Sequence, residues 1–184
     1  MTSFPSTAFS AAQSKWIAKR CIVYPSVKRV LNNWELIKQK RVLDVGCGTG
    51  KSPQLVVGLD SSKEMIEIAK NTFRDKGHQF LHCSILNADL RGFDVAVAFF
   101  ALDFLENRQQ LTKAIQNIFN SLKSDGVLVA GVPNGVKNFN PVKEEGQKLG
   151  VAINLDSDAN LYDGRRLRVE FSITEVCESS STAM

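Results

Sequence analysis

The fold is decided by the stretch Val42-Leu-Asp-Val-Gly-Cys-Gly-Thr-Gly50, read together with Val56-Val-Gly-Leu-Asp60. Each stretch opens with a short apolar run, which predicts a buried β-strand. The first strand leads into closely spaced glycines, which let backbone N–H groups approach a ligand with no side chain between them. The second strand ends at a carboxylate, which can accept hydrogen bonds from both hydroxyls of a ribose. The two stretches therefore predict a nucleoside site at Asp44–Gly50 and Asp60.

Outward from this stretch, apolar strands alternate with amphipathic helices. Phe93–Phe99 is almost entirely apolar, which predicts a strand in the centre of the sheet. The alternation of strands and helices predicts an α/β domain with a doubly wound, mostly parallel sheet. The other predicted elements are a helix capped by Ser61 or Ser62 and ending near Arg74, a strand at Gln79–Cys83, a helix at Arg108–Leu122, a turn at Asp125-Gly126 and a strand at Val127–Val132.

The flanking segments are less strongly patterned. Apolar spacing predicts helices at Ala11–Cys21 and Ser26–Ile37, with Pro25 in the first turn of the second. Arg166–Ile173 alternates as a strand does, whereas residues 134–158 are polar and weakly patterned. The predicted organisation is a disordered N-terminus at residues 1–10, N-terminal helices on the substrate side at residues 11–40, the domain at residues 41–175 and a flexible tail at residues 176–184.

Charge and cysteine content narrow the class of protein. The net charge of +4 is uneven, because residues 1–41 carry eight Lys/Arg against one acid. A basic arm of this kind is either a solvated helix, a nucleic-acid contact or a targeting segment. No apolar run is long enough to span a membrane, and the four cysteines form no CxxC pair. We expect a cytoplasmic protein that uses no metal, contacts no membrane and takes a small molecule rather than nucleic acid.

Two other nucleotide sites have glycine-rich loops and can be compared with this one. A dinucleotide site has the spacing G-x-G-x-x-G, whereas Gly46, Gly48 and Gly50 give G-x-G-x-G. A P-loop ends in Gly-Lys-Ser/Thr, as Gly50-Lys51-Ser52 does, but Val45 stands where its first glycine belongs. The spacing therefore disfavours both of these nucleotide sites.

The stretch Val42–Gly50 resembles motif I of the class I S-adenosylmethionine-dependent methyltransferases of the small-molecule type, with a domain of the methyltransferase 11 or 25 kind. The segment Gly58-Leu-Asp-Ser-Ser62 resembles the family segment that supplies the ribose acid, and Phe93–Val97 and Asn120–Gly126 match later family elements. The resemblance implies a Rossmann-like sheet of order 3-2-1-4-5 and S-adenosyl-L-methionine as cofactor.

The resemblance also implies roles for individual residues. Gly46, Cys47 and Gly48 would contact the methionine end of the cofactor, and Asp44 its amino group. Asp60 would bind the ribose and Met65 would pack near the adenine. The implied cofactor site is completed by Gly50, Ser61, Ser84, Ile85 and Phe99. Asp103, after the fourth strand, is either a substrate-facing acid or the cap of the next helix, and Trp16, Tyr24 and Trp34 either pack or form a lid.

The chain departs from the family pattern at three places, one of which is Ser84, where the family often has an acid that contacts the adenine amino group. Only nine residues separate Gly50 from Asp60, too few for the helix that normally connects parallel strands. The family's last helix and strands also have no full counterpart after residue 132. We therefore expect a shortened first crossover, incomplete C-terminal strands and weakened cofactor affinity.

Three functional hypotheses follow. The first is S-adenosylmethionine-dependent methyl transfer to a small-molecule acceptor. The second is a catalytically weak or inactive methyltransferase-like protein that acts as a binding partner. The third is a tRNA or protein methyltransferase that uses the basic arm.

Overall fold

The computed structural model of the protein describes residues 23–50, 56–74, 76–132, 151–155 and 167–171. Its main sheet has five parallel strands in the order β3-β2-β1-β4-β5, which confirms the predicted class and strand order. The strands are β1 (Val42–Val45), β2 (Val56–Asp60), β3 (Gln79–His82), β4 (Phe93–Phe99) and β5 (Leu122–Gly131).

Three α-helices accompany the sheet in the described residues: α1 (Tyr24–Val30), α2 (Lys63–Thr72) and α3 (Arg108–Ser121). α2 begins where the sequence predicts, because the Ser62 side chain accepts a hydrogen bond from the Met65 N–H at 3.3 Å. Asn107 caps α3 in the same way through the Gln110 N–H at 2.9 Å. Both helices therefore start at the carboxyl end of the sheet.

Apolar side chains cover both faces of the sheet. On one face, Val27 of α1 packs with Leu31 and Ile37 against Val42 and its neighbours on β2 and β4. On the other face, α3 packs through Ala114 and Ile118, and the strand residues in that cluster include Leu43, Val45 and Ala96. Burying a Val, Leu or Ile side chain stabilises a fold by about 1.5–3 kcal/mol, so these two layers fix the strand ends in place.

The first crossover is as short as the sequence predicts. β1 and β2 are parallel neighbours, with Val42 opposite Val56 and Val45 opposite Leu59. Residues 46–50 form turns and no helix, and residues 51–55 lie outside the described residues. The glycine turn therefore leads from β1 with no helix in the described part of the crossover.

The N-terminal helix differs from its prediction. The predicted helix at Ser26–Ile37 is wrong in its bounds, because α1 spans Tyr24–Val30 and Glu35–Ile37 form a separate 3-10 turn. Asn32, Asn33 and Trp34 between them have positive φ. Because the backbone reverses here, Leu31 and Ile37 both pack in the core, although they do not lie on one continuous helix. The helix predicted at Ala11–Cys21 and the two chain ends lie outside the described residues.

The region after α3 differs as well. β5 starts at Leu122, and residues 123–126 bulge between the pairs Phe93–Leu122 and Val95–Val127, so the strand begins earlier than predicted. The predicted strand at Arg166–Ile173 is confirmed as β7 (Leu167–Phe171), which pairs antiparallel with β6 (Val151–Leu155). β6 falls in the weakly patterned segment, for which no strand was predicted. These two strands form a separate sheet rather than joining β5.

Candidate nucleoside site at the carboxyl end of the sheet

The glycine turn after β1 is hydrogen-bonded to the end of β2. The N–H groups of Gly46 and Cys47 both donate to the Leu59 carbonyl, at 2.8 and 3.0 Å. Gly46, Gly48 and Gly50 have φ values of 71°, 53° and 77°, a region that favours glycine. The turn is therefore held in one shape by the neighbouring strand.

Asp60 joins this turn to the start of α2. Its Oδ2 accepts a hydrogen bond from the Gly48 N–H at 2.9 Å, and its Oδ1 accepts one from the Ser62 N–H at 2.8 Å. An ionised carboxylate has about four lone-pair positions, so each oxygen can accept a further donor. Asp60 is half-buried, and its remaining acceptor capacity is available to two hydroxyl groups of a ligand.

The three glycines have different surroundings. A methyl group added at Gly48 would meet no atom within 4 Å, so this position borders open space. At Gly46 it would lie 2.5 Å from the Ala101 Cβ, and at Gly50 2.7 Å from the Phe80 ring. Gly48 is thus the part of the turn that a ligand can approach, while Gly46 and Gly50 allow close packing.

Cys47 contributes its backbone rather than its side chain. The thiol lies over Gly58, where an added Cβ would be 2.8 Å from Sγ, and it packs beside Ile66, Ala69 and Phe80. Burial raises the pKa of this thiol far above its usual range, and the carboxylates of Asp44 and Asp60 raise it further. The side chain therefore stays a protonated thiol beneath the turn.

Tyr24 and Asp44 interact next to the turn. Tyr24, Val27 and Leu31 lie on one stripe of the α1 region, and Val42 and Asp44 lie on one face of β1. Because Val27 and Leu31 pack with Val42, the stripe continues towards Asp44 at the carboxyl end. Burial and the charge of Asp44 raise the pKa of Tyr24, which agrees with this proximity.

The other residues of the predicted cofactor site lie in different surroundings. Met65 is buried under α2, whereas Ile85 packs in the cluster on the other face of the sheet. The Ser84 hydroxyl accepts a hydrogen bond from the Leu86 N–H at 3.3 Å. Ser61 is exposed, and Phe99 packs against the cluster under α1.

His82 is a neighbour of the site that was not among the predicted site residues. It lies opposite Asp60 in the β2–β3 register, and its Nε2 is 3.1 Å from the Ser61 carbonyl oxygen. The sequence signal that could have identified His82 is its position at the end of a strand, next to the strand that ends in Asp60.

The segment after β4 lies against the glycine turn. Phe100 has a φ of 53°, unusual for this residue, and its N–H donates to the Gly131 carbonyl at 2.8 Å. This turn places Ala101 against Gly46 and leads into the 3-10 turn Leu102–Phe104. Asp103 does not cap α3, since Asn107 does. Although Asp103 is exposed as a residue, desolvation raises the pKa of its carboxyl.

Other possible sites lie elsewhere or are not found in the described residues. An open groove of about 400 Å³ lies between the loop Leu86–Arg91 and α3, with Lys113 and Asn117 on its wall. Within the described ranges no three His, Cys, Asp or Glu residues are placed to hold a metal ion. Among the helices that the structure describes, none has the length and apolar character of a membrane span.

Comparison with known proteins identifies similar sequences and folds. Residues 42–126 match the model of a methyltransferase domain family. The chain is 32% identical to a ubiquinone biosynthesis O-methyltransferase of Coxiella burnetii over 56% of this chain and 47% of that protein. An S-adenosylmethionine-dependent methyltransferase from Clostridium acetobutylicum has a similar fold, with a TM-score of 0.57 at 18% identity over 92% of this chain and 82% of that one.

A second solved structure has the same fold. It is the magnesium protoporphyrin IX methyltransferase of Synechocystis with bound S-adenosylmethionine, with a TM-score of 0.55 at 17% identity over 92% of this chain and 93% of that one. The chain spans about half the length of the curated relatives it matches.

Proposed function

We propose that the chain is an S-adenosylmethionine-dependent methyltransferase that transfers a methyl group from S-adenosylmethionine to a small-molecule acceptor, because residues 42–126 match the model of a methyltransferase domain family. The observation that carries the proposal is the pairing of Asp60 with the open Gly48 turn, 2.9 Å from carboxylate oxygen to backbone nitrogen. This pairing puts ribose-accepting oxygens beside a backbone that a ligand can approach.

The residues present fit the cofactor. Asp60 can accept two ribose hydroxyls while it keeps its bonds to Gly48 and Ser62. Asp44 offers a carboxylate to an ammonium group at the methionine end, and Tyr24 covers this side. Met65 and Ser84 are proposed to contact the adenine. These assignments remain part of the proposal.

The chain's own residues would act mainly by positioning. When bound, S-adenosylmethionine supplies a methyl carbon on a sulfonium sulfur, a good leaving group. Aligning an acceptor with that carbon and excluding water supplies much of the rate in such a displacement. The turn Phe100–Phe104, held against Gly46, is suited to position the acceptor, and Asp103 to receive its proton.

The short crossover affects the strength of binding more than the shape of the site. The bonds from Gly46 and Cys47 to Leu59 and from Gly48 to Asp60 all form without a crossover helix in the described residues. However, a helix N-terminus after the turn would add a favourable partial charge for an anionic group. We therefore propose binding that is specific but weaker than a full crossover would give.

Isothermal calorimetry on the full chain tests the proposal. We expect S-adenosylmethionine and S-adenosylhomocysteine to bind, and NAD and ATP not to bind. A ligand at 100 times its Kd stabilises the folded state by about 2.7 kcal/mol, so melting curves give a second readout. Binding of NAD or ATP in preference to the adenosyl compounds would contradict the proposal.

A further inference from the structure

The turn after β4 forms an exposed apolar surface next to the glycine turn. Phe104, at the end of the 3-10 turn Leu102–Phe104, exposes 67% of its surface. Val132, directly after β5, exposes 56%, and Tyr24, at the start of α1, exposes 38%. β1, β4 and β5 are parallel neighbours, and Tyr24 interacts with Asp44, so all three residues lie at the carboxyl end of the sheet.

The shape of this turn is set by its contacts with the site. The left-handed backbone at Phe100 is anchored by its bond to Gly131, and Ala101 packs against Gly46. Backbone of this kind is uncommon for a bulky residue and clusters at functional sites. Asp103 and Phe104 are therefore held in a fixed position beside the place where the methyl donor is proposed to bind.

In the described part of the chain, the charge at this end of the sheet is mainly negative. Among the described residues, Asp44, Asp60, Asp103 and Glu106 lie here. The described basic residues here, Lys63 and Arg108, begin α2 and α3, and Lys63 lies 3.9 Å from Glu67. The opposite end carries Lys38, Lys40, Arg41, Arg91 and Lys123, and three of these are paired there with Glu35, Asp89 and Asp94.

We propose that the acceptor is an apolar, ring-sized molecule with an uncharged hydroxyl or amino group, seated on Phe104 with that group towards Asp103. This inference rests on the proposed function, whose acceptor it specifies. An anionic acceptor, such as a carboxylate, a phosphate ester or a nucleic acid, would meet the carboxylates of this end and be repelled.

Proton balance agrees with this class of acceptor. A neutral hydroxyl or amine that forms a bond to the methyl carbon must lose one proton, while the carbon–sulfur electron pair leaves with sulfur. Asp103 is a carboxylate whose proton affinity is raised by desolvation, so it can take this proton. An acceptor that is already an anion has no such proton to lose and would not need Asp103.

The open groove beside α3 does not suit the acceptor. Its walls are the Leu86–Arg91 loop, Lys113, Asn117 and Asn120, which are mostly polar. Its loop is fastened to α3, since the Asn117 side chain donates to the Ile85 and Leu86 carbonyls at 2.7 and 3.1 Å. None of the groove residues belongs to the glycine turn or to the turn after β4.

Three probes with the same ring test the proposal: para-cresol, para-toluidine and para-toluate. Their binding to the full chain is measured by saturation-transfer NMR, with and without S-adenosylhomocysteine, whose own binding is measured by calorimetry. We expect cresol and toluidine to bind and toluate to bind about tenfold more weakly, in line with like-charge repulsion. We expect Asp103→Asn to reduce that difference.

The matched aromatic control is Phe119, which is 70% exposed but lies on α3. Phe104→Ala should weaken cresol binding about fivefold, as expected for loss of an aromatic contact, and Phe119→Ala should leave it unchanged. Equal binding of toluate and cresol, or equal effects of the two alanine variants, would overturn the acceptor assignment. If S-adenosylhomocysteine fails to bind while the probe pattern holds, the proposed function falls and the acceptor surface stands.

Discussion

Asp60 and Asp94 accept hydrogen bonds at opposite ends of the sheet, and their partners differ. At the carboxyl end, Asp60 accepts the backbone N–H groups of Gly48 and Ser62. At the amino end, Asp94 accepts the Arg41 N–H at 2.8 Å and the Lys123 ammonium at 2.6 Å. Asp60 joins its own strand end to the glycine turn 12 residues earlier, whereas Asp94 joins residues 53 and 29 positions away.

The two carboxylates differ in their remaining capacity to accept hydrogen bonds from a ligand. Asp94 has a full positive charge as a partner, and its pKa is lowered chiefly by the bond to Lys123. Among the described residues, Asp60 accepts hydrogen bonds from N–H groups only and faces an open turn, so it can also accept hydrogen bonds from ligand hydroxyls. The same residue type is therefore proposed to bind a ligand at one end and to stabilise the fold at the other.

The largest expected effect comes from replacing each acid with its amide. Asp60→Asn puts an NH2 group against a backbone N–H and removes charge from the ribose contacts. Hydrogen bonds to charged groups contribute about 1.5–3 kcal/mol each, so we expect at least about a hundredfold weaker S-adenosylhomocysteine binding by calorimetry.

Asp94→Asn is the control for this change, because it removes the same charge at the other end of the sheet. We expect it to leave the affinity within about twofold of the original, since it is remote from the ligand. Equal losses of affinity in the two variants would show that both acids act only through the fold.

The glycine turn allows a second contrast, within the carboxyl end itself. At Gly46 an added Cβ would lie 2.5 Å from Ala101, and at Gly48 it would meet nothing within 4 Å. We expect Gly46→Ala to lower the free energy of unfolding by roughly 2–3 kcal/mol through overpacking and a strained φ. Gly48→Ala should cost about 1 kcal/mol, from the positive φ alone.

Urea unfolding of the two glycine variants measures these costs. Gly48→Ala should nonetheless weaken ligand binding more than its effect on stability suggests, because its methyl group fills the open side of the turn. If Gly48→Ala binds S-adenosylhomocysteine as the unchanged chain does, the ligand does not approach this position.

The sequence predicted those parts of the fold that depend on local pattern. The bounds of β4, the cap at Ser62 and the order of the glycine turn and Asp60 all follow from apolar period and capping chemistry. The strand order came from the family resemblance. The structure agrees with the sequence at these features because local preference and tertiary packing favour the same conformation there.

The sequence did not predict features that depend on contacts between distant residues. The end of α1 was missed because apolar spacing continues through Asn32–Trp34, where the backbone reverses. The direction of the Cys47 side chain could not be predicted either, because it depends on the space that Gly58 leaves beneath it. The Asp94 contacts join residues 53 and 29 positions apart, which local patterns cannot indicate.

A smaller effect is expected from Asp94 as the pH changes. The pKa of Asp94 is lowered in the folded chain, so its ion pair stabilises above the unfolded pKa, and this stability is lost as the pH falls through the folded pKa. At neutral pH we expect Asp94→Asn to melt slightly below the unchanged chain. The two melting curves should converge in acid, whereas a constant difference would mean that charge is not the cause.

The smallest effect is expected at His78, which fastens the start of β2 just after the short crossover. Its Nδ1 accepts the Val56 N–H at 3.4 Å, and its ring stacks on Phe80 with centroids 5.8 Å apart. Burial, with a contribution from Lys76, lowers the pKa of His78, so the unfolded chain binds a proton more readily. Stability should therefore be full above the unfolded pKa and fall as the pH decreases through it. His78→Phe keeps an aromatic ring and removes the titrating group. The melting temperature of this variant should therefore vary less between pH 7 and pH 5 than that of the unchanged chain. An unaltered pH profile would rule out this role for the imidazole.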